Sequence, residues 1–127
     1  MILEPGNIWS GSKTLAAFTN PTELAFKKGN LKKHYPVVVN KIKYPDAEQA
    51  YQVLKHKTNN RIMLMSLILN AKLKQHPELI QDIEDSGGDY FLKNCDHIVY
   101  NNSDWEGKGV ESLFIRVLMN VYNNIGM

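Results

Sequence analysis

Glu48, Tyr51, Gln52 and Lys55 stand at spacings i, i+3, i+4 and i+7. On an α-helix these positions share one face. A carboxylate, a phenol, an amide and an ammonium on one face are poorly suited to a dry core, because charged groups are rarely buried without partners. Such a set can stabilise a developing cation, orient a polar substrate and hold an anion. The plain alternative is a solvated face with a modest ion-pair network. A second group, Asp104-Trp105-Glu106-Gly107-Lys108-Gly109, lies directly before an apolar helical stripe. Its glycines let backbone approach a ligand closely. The N–H groups of the helix start behind it favour phosphate or a capping carboxylate. Trp105 offers a surface for a base, or, in the plain alternative, a core anchor.

The remaining chemistry-bearing residues form weaker patterns. His34, His56, His76 and His97 lack the spacing of a metal motif, so no metal is expected. Cys95 is the one cysteine, which excludes an internal disulfide framework and suits a small buried apolar residue. Met63, Met65 and Met119 read as core, and Arg116 either holds a phosphate or forms a surface ion pair. The glycine pairs match neither a Walker loop nor a dinucleotide fingerprint.

The elements that would position these groups follow from periodicity. Residues 1–36 read as loops with short elements, and Val37-Val38-Val39, Ile42 and Tyr44 as a strand region ended by Pro45. Asp46, with Gln49 three residues later, predicts an N-cap for a helix over 47–57. Asn59 or Asn60 caps a helix over about 61–75, with Ile62, Met65, Leu69 and Leu73 on one face. Pro77 opens a short helix to about residue 84, before Gly87-Gly88. His97 to Tyr100 reads as short and β-like, and Asn101-Asn102-Ser103 as a turn. Apolar positions 110, 113, 114, 117, 118 and 121 predict a last helix to about Asn124, with Gly126 just past it. The sum is one α+β domain over residues 1–127, compact and mostly helical with a few short strands.

Composition agrees with one folded domain. The chain has 127 residues, 43% hydrophobic and 22% charged, with a net charge of +2. Residues 1–61 carry ten Lys/Arg and four Asp/Glu, whereas residues 62–127 carry five and nine. The basic half can attract the phosphates of a nucleotide or nucleic acid, or form a solvated lysine-rich loop. The longest nearly unbroken apolar stretch, Ile62 to Leu69, is too short for a membrane span. No signal peptide is visible, and a cytoplasmic location is expected. The oligomeric state is open.

Together the two groups resemble one family. Tyr44-Pro45-Asp46-Ala47-Glu48-Gln49-Ala50-Tyr51-Gln52, with Lys55, resembles the Y-P-x-x-E-x-A-Y-Q-x-x-K signature of the NADAR/YbiA-like family. Asp104 to Gly107, followed by Leu118-Met119, resembles its D-x-x-W-G-x-G … L-M end, and Phe18-Thr19-Asn20-Pro21 its L-S-N segment. Glu106 stands where the pattern has glycine, so either Asp104 or Glu106 is the late acid. The resemblance spans about residues 9–122. It implies a YbiA-like fold and an N-glycosidase without cofactor, cleaving a base–ribosyl bond. The implied substrates are ADP-ribosylated guanine, alone or in DNA or RNA, a related NAD-like compound, or a phosphoribosylated pathway intermediate.

Within that implied chemistry, Glu48 stabilises the cation or positions the attacking group, and Asp104 or Glu106 is the second acid/base. Lys55 is either a Schiff-base nucleophile or a fixed charge on a phosphate. Trp9, Asn20, Tyr51, Gln52, Trp105 and Gly107 are the expected substrate contacts. Lys43, Arg116 and the Lys27-Lys28 and Lys41 positions are the expected phosphate contacts. Two other readings are open to the sequence: a module that binds ADP-ribose or nucleic acid without cleaving it, and a small structural or phage-type interaction protein whose Glu48–Lys55 face is covered by a partner.

Overall fold

The fold is organised around one central helix. In the computed structural model, which describes residues 1–125, that helix is α3, Arg61–Gln75. It starts where the Asn60 side chain accepts from the Met63 N–H at 3.0 Å. Its Met65, Leu69 and Leu73 enter one apolar cluster and its Leu64 and Ile68 enter another. Being buried on two sides explains why its apolar residues do not form the single stripe expected. Ile62 and Met63, expected in the core, are exposed, and the unexpected occupant of the interior is Lys72.

On one side of α3 lies a hairpin, β1 (Val37–Val39) and β2 (Ile42–Tyr44), with Val37 opposite Tyr44. Its two-residue turn has positive φ at both Asn40 (50°) and Lys41 (68°), the turn geometry that matches strand twist. Helix α1 (Thr22–Lys27) precedes the hairpin, and α2 (Ala47–Leu54) follows it. The Asp46 side chain caps α2, accepting from the Gln49 N–H at 2.9 Å. Its other oxygen accepts the Glu23 N–H at 3.0 Å, so one buried carboxylate ties α1 to α2. Helix α2 ends sooner than expected, and Lys55–Lys57 wind as a separate 3-10 turn.

On the other side α3 packs against α6 (Leu113–Ile125). Between them in sequence come α4 (Pro77–Ser86), α5 (Asp89–Lys93), and the two-residue strands β3 (Asp96–His97) and β4 (Gly107–Lys108). Phe114, Ile115, Val117, Leu118 and Val121 of α6 are buried, each contributing on the order of 1.5–3 kcal/mol. Val110 lies in a 3-10 turn before α6 and is exposed. Cys95 is fully buried in this cluster, and burial raises its thiol pKa. The expected Gly126 terminus lies outside the described residues. Among the described residues, no helix is long and apolar enough to cross a membrane. The architecture is α+β: six α-helices with two small antiparallel sheets among the described residues.

The β-like reading of His97 to Tyr100 holds only for His97. From Val99 to Asn102 the backbone N–H groups donate to the Glu106 carboxylate instead of to a neighbouring strand. A side chain has replaced the ladder partner.

Candidate functional site

Helix α2, the Thr19–Pro21 turn and the loop before α6 meet around a cavity of about 540 Å³. That size suits a nucleotide-like ligand. Glu48, Tyr51 and Gln52 of α2 line it, as the shared-face spacing predicts. Gln52 Nε2 donates to Glu48 Oε1 at 2.7 Å, which orients the carboxylate. The Glu48 N–H donates to the Asn20 carbonyl at 3.2 Å, fixing the helix start against the turn.

The walls are aromatic. Trp9, Tyr51, Trp105 and Tyr100 all line the cavity. Tyr51 meets Trp105 edge-on, with ring centroids 6.1 Å apart and planes at 83°. The Arg61 guanidinium lies over Trp105 at 5.1 Å from the ring centroid. At another part of the lining, the Lys28 Nζ sits 5.1 Å from the Trp9 ring centroid and donates to Ser10 Oγ at 2.7 Å. Among the described residues, Lys28 is the one Lys or Arg in the lining, which also holds the two carboxylates Glu48 and Glu106.

The turn beneath the cavity is held from below. Lys72, fully buried, donates to the Thr19 carbonyl at 2.6 Å. Burial drives its pKa down to about 7, against the attraction of Asp46. Asn20 is 94% buried, its exposed fraction being 6%. Its Nδ2 meets Met65 Sδ at 3.3 Å, while Oδ1 has no partner among the described residues. That oxygen has almost no exposed surface, so it would accept from a ligand N–H or O–H only after the Asn20 side chain turns toward the cavity.

The late acids are engaged elsewhere. Asp104 is exposed and does not line the cavity. It forms a two-bond pair with Arg61 at 2.9 and 2.5 Å, and that bond holds its carboxyl below the ordinary range. Glu106 does line the cavity. Burial alone would raise its pKa, but the four backbone N–H groups of 99–102 pull it down to about 2. The start of α6 offers no free cradle for phosphate. The N–H groups of Leu113 and Phe114 go to the carbonyls of Asp104 and Trp105, and those of Ile115 and Arg116 to Ser112.

The cavity therefore brings together Trp9, Asn20, Glu48, Tyr51, Gln52, Trp105 and Glu106. Lys55, Lys43 and Arg116 are exposed and outside its lining. Gly107 is also outside: it pairs with His97 in the sheet, and a Cβ there would meet the Glu111 backbone at 2.9 Å. Its glycine serves close backbone packing rather than ligand approach. Ser10, Thr19, His97 and Tyr100 line the cavity without any spacing signal in the sequence, and Lys28 is the cavity member of the basic loop. Among the described residues no group of three His, Cys, Asp or Glu could hold a metal ion. Comparison of the chain with protein-family models, with curated proteins and with solved structures gives no match.

Proposed function

We propose that this chain is a YbiA-like N-glycosidase of the cytoplasm. It hydrolyses the bond between a base nitrogen and a ribosyl carbon, with ADP-ribosylated guanine or a related NAD-like or phosphoribosyl compound as substrate. The observation that carries the reading is the half-buried Glu48 carboxylate, oriented by Gln52 in a cavity walled by Tyr51, Trp105 and Trp9. Cleavage of such a bond builds positive charge on the ribosyl carbon and its ring oxygen. A fixed carboxylate in a partly dry cavity lowers the energy of that charge more than it lowers that of the neutral substrate. The rings hold the base, and Lys28 attracts the phosphates. The likeness of residues 44–55 to the NADAR/YbiA signature supports the same chemistry.

A second reading is favoured by one observation: Asp104 and Glu106 are both committed to structural bonds. In that reading the chain binds ADP-ribose or a modified nucleic acid and leaves the bond intact. Incubation with ADP-ribosylated guanosine, NAD and phosphoribosyl-pyrimidines, read by mass spectrometry, separates the two. Release of the free base with ADP-ribose or ribose phosphate supports the enzyme. Saturable binding without release supports the binding module.

A further inference from the structure

His97 closes β3 and forms part of the cavity wall. Its Nδ1 lies 2.7 Å from the Ile8 carbonyl oxygen. A carbonyl only accepts, so Nδ1 carries the proton. The ring packs on Phe114 with centroids 4.6 Å apart, which holds its plane. Its Nε2 has no protein partner among the described residues, although two carboxylates, Glu48 and Glu106, line the same cavity.

We propose that His97 is the acid/base residue of this site, acting through Nε2; the proposal rests on the glycosidase reading. In the step, a water oxygen bonds to the ribosyl carbon as the carbon–nitrogen bond breaks, and that electron pair stays on the base. One water proton passes to His97 Nε2. The imidazolium then gives the proton to the departing base, and the residue returns to its starting form. Glu48 supports the cationic carbon and does not need to move a proton. Asp104, tied to Arg61, and Glu106, tied to the 99–102 backbone, are relieved of the role.

Burial lowers the His97 pKa, while the Ile8 bond and the nearby charges of Glu106 and Glu48 pull it back up. The net direction is down, so the imidazole is neutral at pH 7 and its Nε2 lone pair is open. Both charged groups acting on it are acids, one on α2 and one in the loop before α6.

The test uses the full chain labelled with ¹⁵N. Nitrogen shifts of His97 should report an Nδ1–H, bare Nε2 ring at pH 7, and Nε2 should move when ADP-ribose is added. His97→Asn keeps a donor near Ile8 and removes Nε2. It should melt like wild type, bind ADP-ribose comparably, lose about 10²–10⁴ in base release, and lose the acid limb of the pH–rate profile. His97→Gln, which extends an amide to the Nε2 position, is the second variant should the first fold poorly. An Nε2–H ring, or an Nε2 that ignores ADP-ribose, overturns the proposal whatever the activity. Unchanged base release by both variants overturns the role of His97 and leaves the glycosidase reading standing. A wild type that cleaves no substrate while keeping the Nδ1–H ring overturns the glycosidase reading, and this catalytic role with it.

Discussion

The Glu48 N–H donates to the carbonyl of Asn20 at 3.2 Å, so a helix start and a turn 28 residues earlier in the chain share one wall of the cavity. The bond uses the backbone of both residues. It leaves the Glu48 carboxylate to Gln52, and the buried Asn20 amide oxygen unpaired beside the cavity, within reach of a ligand once the side chain turns.

Asn20→Ala should therefore weaken ADP-ribose binding by about tenfold, the size of one hydrogen bond. Its melting temperature should stay near wild type, because the carbonyl that receives Glu48 remains. Calorimetric titration checks the affinity. An unchanged dissociation constant would mean that the ligand does not use that oxygen.

Lys55→Ala and Asp104→Asn should each change base release by no more than about threefold, as exposed positions usually do. Both residues lie outside the cavity lining. Borohydride trapping with substrate should likewise give no sugar adduct at Lys55. A trapped adduct there, or loss of turnover in Lys55→Ala, would show that α2 brings its end into the site during reaction.

How this cavity could be read from the sequence depends on how local each cause is. Asp46 and Asn60 were recognisable as caps because a cap involves only the next three residues, and both serve as expected. Glu48, Tyr51 and Gln52 share a face within little more than one turn. Lys55 sits seven residues on, past the end of α2 and in the 3-10 turn that follows, so the α-helical spacing that links the other three does not bring it into the cavity lining. His97 and Lys72 owe their places to partners far away in sequence, Ile8 and Thr19, for which periodicity carries no signal. The free helix start expected behind the 104–109 loop is overturned for the same reason: α6 begins at Leu113, and loop carbonyls nine residues back take its first N–H groups.

Glu106→Gln should destabilise the fold and disorder the 99–102 loop, because an amide cannot accept four backbone N–H groups as a carboxylate does. The loss should be about 1–3 kcal/mol in urea unfolding at pH 7. Since the folded pKa, about 2, is below the ordinary 4.5, wild type gains this stability above the ordinary value and loses it as pH falls toward 2. The difference between the proteins should shrink across that window. A constant difference would contradict the role of the charge.

Lys72→Met should change how stability depends on pH. The folded pKa of Lys72 is about 7 against an ordinary 10.5, so between these values the unfolded chain holds more protons. Wild-type stability should then rise with pH from 7 toward 10 relative to the variant. The N-terminal amine and Cys95 also have shifted pKa values, but they are present in both proteins and cancel in the difference. Urea unfolding at pH 6, 7, 8 and 9 reads it. Parallel pH profiles would mean that water reaches the ammonium.

The most direct measurement is the rate at which ADP-ribosylated guanosine loses its base with wild-type protein and with Glu48→Gln at pH 7. Wild type should release the base, and the variant should lose about 10²–10⁴ in rate while largely keeping its affinity for ADP-ribose. Equal rates in the two proteins would contradict this role of Glu48, because the oriented carboxylate in the cavity would then have no part in breaking the bond.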